Sequence, residues 1–121
     1  TPEGSVVTRT IEAPDEAGHQ GSASAKIQAI QDFDRRIVGP IIGALRAAGT
    51  DFRVVVTMDH FTPISLRTHT SDPVPALLYD SRETQPKSGR RFTEKECLLH
   101  DQHHKNSLSG AEMFMDKLFC R

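Results

Sequence analysis

The sequence predicts an α/β fold in which helices flank a mainly parallel sheet. Two runs rich in β-branched residues, at residues 5–11 and 52–58, stand on either side of a long segment with helical periodicity. A strand, a helix and a second apolar strand make a βαβ unit, whose two strands run parallel in one sheet. With 121 residues, the chain is long enough for one domain with a modest core.

The first half of the chain contributes the first strand and the long helix. Residues 5–11 alternate in character, which predicts a strand, and residues 12–21 are rich in Gly, Ala, Pro and acids, which predicts a loop. Ser22 is a good N-cap for a helix over residues 23–48, where isoleucines recur on one side. Pro40 lacks a backbone N–H and should kink or break that helix.

The middle of the chain contributes two further strands. Residues 52–58 form a continuous apolar run, which is typical of a strand covered on both faces. Residues 74–79 predict a third strand. Pro75 fits such a strand only if the strand lies at an edge of the sheet or if the proline stands at the strand's start. Residues 80–91 are polar and contain Gly and Pro, which predicts an exposed loop.

The C-terminal part contains two predicted helices separated by a polar loop. Thr93 and Glu96 match a capping box, which predicts that a short helix starts there. Residues 101–109 predict a loop, and residues 110–119 predict a last helix with an apolar face. The polar surroundings favour a surface position over a metal site for three histidines: His100, His103 and His104.

The composition argues against nucleic-acid and membrane partners. Acidic and basic residues nearly balance, with a net charge of −1 at pH 7, whereas a nucleic-acid binder carries a basic face. No apolar run approaches the length of a membrane span, and residues 1–5 do not begin a secretory signal. Cys97 and Cys120 lie far apart and outside metal-binding spacing, which is typical of reduced thiols, so we expect a cytoplasmic protein.

Aspartates and histidines follow the predicted strands in a pattern that suits metal binding. Asp15 and His19 follow the first strand, Asp59 and His60 follow the second directly, and His69 lies in the loop after it. In open α/β sheets sites form at the carboxyl ends of strands, so we expect these five side chains at one sheet edge. Imidazole with carboxylate suits zinc, manganese or iron. Five groups exceed the roughly three ligands of one open zinc site, and paired metals are typical of phosphoryl-transfer enzymes.

Three stretches of the sequence carry a resemblance to a known family: residues 13–19 (APDEAGH), 37–40 (IVGP) and 59–75 (DHFTPISLRTHTSDPVP). They resemble the C-terminal part of the archaeal-type cofactor-independent phosphoglycerate mutases, which belong to the alkaline phosphatase superfamily. The resemblance implies a three-layer α/β architecture with a mainly parallel sheet. It also implies that residues 1–121 form a single C-terminal metal-binding segment of that domain, whose N-terminal part is missing from this chain.

The resemblance further implies a role for each candidate ligand. Asp15, His19 and His69 look like the ligands of one metal, and Asp59 and His60 look like part of the shell of a second. The ions would be manganese or zinc, with magnesium as a further candidate. In the family, a serine outside the matching region takes the phosphoryl group from 3-phosphoglycerate and returns it to the neighbouring hydroxyl. We therefore expect this chain alone to bind a transition metal weakly and to turn over no phosphoglycerate.

Three charged residues near the candidate ligands have two interpretations each. Arg67 is the candidate for binding a phosphorylated small-molecule substrate, because its guanidinium is a planar bidentate donor, although an ion pair with Asp72 would also explain it. Glu12 and Glu16 could orient ligand histidines, and solvated acids are the simpler interpretation.

Two other functions would use the same metal ligands. One is a related metal-dependent phosphatase or phosphonate-processing enzyme, which would differ mainly in the parts that this chain lacks. The other is a non-catalytic metal-binding module. An upstream coding segment with a serine loop would favour an enzyme, and its absence would favour a module.

Overall fold

The computed structural model describes residues 5–83 and 89–104, the last five of them by their backbone. These residues form two compact units: residues 5–44 with 61–70, and residues 45–60 with 71–83 and 89–104. In chain order the elements are α1 (Ala13–Gln20), α2 (Ala23–Phe33), a π-helical turn (Asp34–Val38), α3 (Gly39–Ala47), β1 (Arg53–Thr57), β2 (Ala76–Asp80) and α4 (Glu94–His104).

Helix α1 occupies most of the segment that the sequence predicts as a loop, so that prediction is wrong. Pro14 lies in the first turn, where its fixed φ suits a helix and its missing N–H costs nothing. Asp15 and Glu16 also lie in the first turn, where negative charge is stabilised by the helix dipole. Gly21 ends the helix with φ 69°, a left-handed conformation that glycine adopts without strain.

The long helix forms as predicted, with one change of geometry inside it. The Ser22 hydroxyl accepts a hydrogen bond from the Ala25 N–H at 3.3 Å, as expected of an N-cap. The π-helical turn lies directly before Pro40, and the Gly39 N–H donates to the carbonyl of Asp34. This wider turn accommodates a proline that cannot donate and whose ring would clash with a normal preceding turn.

Strands β1 and β2 form an antiparallel pair in the second unit, with Arg53 opposite Asp80. Both strands lie where the sequence predicts them, and β2 starts directly after the buried Pro75. Arg53 Nε donates to Asp80 Oδ2 at 2.6 Å, and Arg82 donates to both oxygens of the same carboxylate. The hydrogen bonds from Arg82, and then those from Arg53, hold the pKa of Asp80 well below its usual range.

The expected parallel strand pairing is not present in the described part of the chain. Residues 6–11 form no strand there, and the prediction of a strand at this segment is wrong for the chain by itself. A strand requires a neighbour for its backbone N–H and C=O groups, and no described strand pairs with residues 6–11. Val6 and Val7 are accordingly exposed. The one described sheet consists of β1 and β2 and is antiparallel.

Helix α4 begins at the predicted capping position. The Thr93 hydroxyl accepts from the Glu96 N–H at 3.3 Å, while the Glu96 carboxylate accepts from the Arg91 N–H at 2.8 Å. The helix continues to His104, so the predicted loop at residues 101–109 starts too early. The predicted helix at residues 110–119 and the side chains of the three C-terminal histidines lie outside the described part.

Large apolar side chains remain exposed on the helices and strands of the described chain. None of the described large side chains is fully buried, and the buried residues are small, such as Ala17 and Thr62. Ile27 and Ile30 on α2 are 58% and 53% exposed, and Ile64 and Leu66 in the first unit are also exposed. Within the described ranges, no helix combines the length and apolar character needed to cross a membrane.

Candidate metal centre

The candidate centre is built on a close approach between α1 and the segment of residues 61–70, both in the first unit. Gly18 makes this approach possible, because a Cβ at that position would lie 2.3 Å from the Thr62 carbonyl oxygen. Thr62 is only 3% exposed at this contact. Phe61 and Thr70 bridge the two ends of the segment, with the Thr70 N–H donating to the Phe61 carbonyl at 3.0 Å. The segment therefore lies against the helix as a closed loop.

Three candidate ligands meet at this contact. Asp15 and His19 are four residues apart on α1, so they share one face of the helix. The His19 Nε2 atom lies 3.3 Å from Asp15 Oδ2, and His69 Nε2 lies 3.2 Å from Asp15 Oδ1. The two Nε2 atoms are 3.1 Å apart. All three side chains are partly exposed, so the site is open to solvent.

The spacing of these atoms fits a divalent metal ion. Ligand atoms that bind tetrahedrally at about 2.0–2.1 Å lie roughly 3.3 Å from one another. The separations of 3.1, 3.2 and 3.3 Å between the two imidazole nitrogens and the carboxylate oxygens match this value. Two neutral imidazoles and one carboxylate also give the single negative charge and mixed donor set that suit zinc or manganese. Three protein ligands leave further positions for water or substrate.

The backbone of Arg67 determines which nitrogen of His19 is available to a metal. His19 Nδ1 lies 2.9 Å from the Arg67 carbonyl oxygen. A carbonyl only accepts, so Nδ1 carries the proton and donates it to this hydrogen bond. In the neutral imidazole the lone pair is then on Nε2, the atom that faces Asp15 and His69. Arg67 adopts φ 54°, an uncommon conformation for a residue with a side chain.

Thr62 supports the Asp15 carboxylate through a hydrogen bond, as the Arg67 carbonyl supports His19. Its hydroxyl donates a hydrogen bond to Asp15 Oδ1, and its carbonyl accepts from Lys26 Nζ at 2.6 Å. Neither Thr62 nor the Arg67 carbonyl is predicted from the sequence as a support for the ligands. Glu12 and Glu16 are the candidates that the sequence offers for that role, and both are exposed. The one sequence signal for this supporting role is that Thr62 lies within the motif of residues 59–75. Contacts between residues more than 45 positions apart leave no local pattern in the sequence.

The other two candidate ligands belong to the second unit. Asp59 and His60 follow β1 closely, and His60 Nε2 lies 3.6 Å from Asp59 Oδ2. The His60 side chain is 25% exposed, whereas that of Asp59 is 93% exposed and open to further ligands. The role of both residues as ligands stays a prediction. So does the phosphate-binding role of Arg67, whose exposed side chain lies against Gly21 in the first unit.

Comparison with known proteins agrees with a metal-dependent enzyme family. A family described as the metalloenzyme superfamily matches residues 3–108. The chain is 46% identical over 85 residues to the 2,3-bisphosphoglycerate-independent phosphoglycerate mutase of Methanosarcina barkeri, covering 70% of this chain and 21% of that protein. It is 49% identical over 79 residues to the probable enzyme of the same name from Geobacter sulfurreducens, covering 65% and 19%.

A third relative is the enzyme of this name from Methanothrix thermoacetophila, at 55% identity over 71 residues, or 59% of this chain and 18% of that protein. The chain thus spans about a fifth of the length of the curated relatives it matches. No solved structure shows a significant match. The resemblance inferred from the three sequence stretches is confirmed. Because the family match extends over most of its residues, the chain belongs to the metalloenzyme superfamily.

Proposed function

We propose that this chain is the C-terminal metal-binding part of a two-metal phosphoglycerate mutase. The complete enzyme interconverts 3-phosphoglycerate and 2-phosphoglycerate through a phosphoserine intermediate, and this chain alone is inactive. The observation that carries the proposal is the placement of Asp15, His19 and His69 at the separations expected of metal ligands. The shared name of the relatives favours a mutase over a phosphatase or a phosphonate-processing enzyme.

Each candidate ligand has a role in this proposal. Asp15, His19 and His69 hold one divalent ion, either manganese or zinc, with magnesium as a further candidate. Asp59 and His60 contribute to the shell of a second ion, which an aspartate and the nucleophilic serine from the remainder of the protein complete. When bound, the ions act as Lewis acids that stabilise charge on the transferring phosphoryl group. Arg67 binds a phosphate oxygen of the substrate through its exposed guanidinium.

The proposed context of the chain is a larger α/β domain in the cytoplasm. In the complete protein, β1, β2 and residues 6–11 join a mainly parallel sheet within three layers. The exposed Val6 and Val7 support this idea, as do the uncovered isoleucines of α2, because such surfaces become stable when other elements cover them. The partner that covers them is the N-terminal part of the same protein, and the whole of residues 1–121 forms one segment of that domain.

Metal titration combined with a mutase assay tests the proposal. Isothermal titration of the 121-residue chain with manganese or zinc should show weak binding, which His19→Ala or His69→Ala should abolish, and the same sample should turn over no phosphoglycerate. The natural full-length protein should bind metal more tightly and be active, because it supplies the missing ligands and the serine. Substantial turnover by the 121-residue chain would contradict the proposal. Equal metal binding by the wild type and the alanine variants would contradict the ligand assignment.

A further inference from the structure

Thr62 stands out in the candidate centre because it is polar, almost fully buried and hydrogen-bonded through both its side chain and its backbone. Its side chain and backbone together are 3% exposed. Its hydroxyl donates to Asp15 Oδ1, while its carbonyl accepts from Lys26 Nζ at 2.6 Å. Thr62 is therefore fixed by Lys26 on α2 and itself fixes a carboxylate on α1.

The hydrogen bond from Thr62 adds a restraint on the rotation of the Asp15 side chain. Asp15 is near the start of α1 and partly exposed, and His19 and His69 also lie close to its carboxylate. With the hydroxyl bonded to Oδ1, the two carboxylate oxygens remain directed at His69 and His19, at 3.2 and 3.3 Å. A ligand that is already ordered loses less conformational entropy when an ion binds. Hydrogen-bonded groups behind a ligand commonly change metal affinity by about 10–100-fold.

We propose that Thr62 is a positioning residue, whose hydroxyl holds the Asp15 carboxylate in the orientation that binds metal. The inference rests on the proposed metal role of Asp15, His19 and His69. Lys26 contributes indirectly, because its ammonium group keeps the backbone of Thr62 in place. The packing of Thr62 against Gly18 is the competing explanation for its burial. A packing role depends on the shape of the side chain, whereas a positioning role depends on the hydroxyl.

Substitutions that separate shape from hydroxyl chemistry test this inference in the natural full-length protein. Thr62→Val keeps the shape and removes the hydroxyl, and Thr62→Ser keeps the hydroxyl. Thr70→Val is the matched control, because the Thr70 hydroxyl is buried in the same segment without a hydrogen-bond partner. The measurements are the dissociation constants for manganese and zinc, obtained by competition with a chelating dye, and the thermal midpoint of the metal-free protein. His19→Ala provides the reference for complete loss of this site.

We expect Thr62→Val to weaken metal binding at this site by about 10–100-fold. Thr62→Ser and Thr70→Val should stay within about threefold of the wild type, and the metal-free thermal midpoints should be alike. Wild-type affinity in a folded Thr62→Val protein would overturn the inference, as would equal losses in Thr62→Val and Thr62→Ser. If Thr62→Val does not fold, Thr62→Ala replaces it with the same expected loss, and failure of both to fold would assign Thr62 a packing role. If His19→Ala leaves metal binding unchanged, the proposed function fails instead.

Discussion

At the scale of single residues, the centre depends on backbone atoms as much as on the ligands themselves. The Arg67 carbonyl selects the proton position of His19, and Arg67 itself has a left-handed backbone conformation. Such a conformation costs roughly 1–2 kcal/mol in a residue with a side chain. The hydrogen bonds of the neighbouring turn, from the Leu66 and Arg67 N–H groups to the Pro63 carbonyl, help to offset this cost.

Gly18 allows a prediction at the same scale. Gly18→Ala places a Cβ 2.3 Å from the Thr62 carbonyl oxygen, so α1 or the segment of residues 61–70 must shift. Overpacking of this kind typically costs about 1–3 kcal/mol. Metal binding should also weaken, because the shift moves Asp15 and His19 relative to His69. Denaturant unfolding and metal titration of the same variant measure both effects.

Gly43→Ala is the control for this prediction. Gly43 lies inside α3, and a Cβ there would meet nothing within 4 Å. Alanine should therefore stabilise the helix by about 0.5–1 kcal/mol, because glycine loses more backbone entropy when it folds. If the two variants had equal stability, the close approach of α1 to Thr62 would not exist in solution.

At the scale of elements, the pairing of β1 with β2 contains an aspartate that accepts hydrogen bonds from two arginines. The pKa of Asp80 is lowered, chiefly by hydrogen bonds from Arg82 and then from Arg53. A lowered pKa in the folded state means that this interaction contributes stability fully above the ordinary aspartate pKa of about 3.9. The contribution is lost as the pH falls from that value through the lower pKa of the folded state.

Asp80→Asn should therefore make the free energy of unfolding depend less on pH under acidic conditions. The free energy of unfolding of the wild type should fall more steeply than that of the variant between about pH 4 and pH 2. At neutral pH the variant should be less stable, since the mostly buried Arg53 side chain loses its charged partner. Denaturant unfolding at a series of pH values measures both effects. Asp72→Asn, which changes an exposed acid of the same unit, should keep the wild-type slope.

The elements also show which parts of the fold could be predicted from local sequence. Ser22 as N-cap, the interruption before Pro40 and the positions of β1 and β2 follow from propensity and from the missing N–H of proline. The loop predicted at residues 12–21 is instead a helix, because small residues and acids suit both a loop and the first turns of a helix. Strand pairing at residues 6–11 depends on a partner, and no local pattern encodes the partner.

The candidate site was partly predictable for the same reason. Residue type and spacing singled out five candidate ligands, and the family resemblance grouped Asp15, His19 and His69 around one ion. The structure brings these three side chains together. The supporting hydrogen bonds from Thr62 and to the Arg67 carbonyl arise only when α1 packs against a distant segment. Those contacts depend on tertiary packing rather than on periodicity.

At the scale of the whole molecule, the exposed apolar side chains support the proposal that the chain is one part of a larger domain. Ile27 and Ile30 form part of an apolar groove on α2, together with Pro63 and Ile64. Burying an isoleucine of this size contributes about 1.5–3 kcal/mol relative to leaving it exposed. In the described part of the chain these isoleucines stay more than half exposed, so much of this stabilisation is not realised. This agrees with a chain that covers about a fifth of the length of its relatives.

Substitution of these isoleucines should therefore change stability less in the 121-residue chain than in the natural full-length protein. The double variant Ile27→Ala, Ile30→Ala should change the stability of the 121-residue chain by less than about 1 kcal/mol, because both side chains are more than half exposed. In the natural full-length protein, where we expect them to be buried, each should cost about 2–5 kcal/mol. Unfolding curves in both backgrounds provide the comparison, with Ser24→Ala on the same helix as a control. Equal small effects in both would show that the groove stays open.

The contact between Gly18 and Thr62 also limits how this sequence can evolve. The two positions are far apart in the chain, yet any side chain gained at position 18 displaces the backbone at position 62. The Thr62 side chain also donates the hydrogen bond to Asp15, so a side chain gained at position 18 would disturb the candidate metal centre. Because the atom nearest to a Cβ at position 18 is the backbone carbonyl oxygen of Thr62, which every residue type carries, no exchange at position 62 removes this overlap. A survey of natural variants should therefore find glycine retained at position 18, even though Gly18 is not itself a candidate metal ligand.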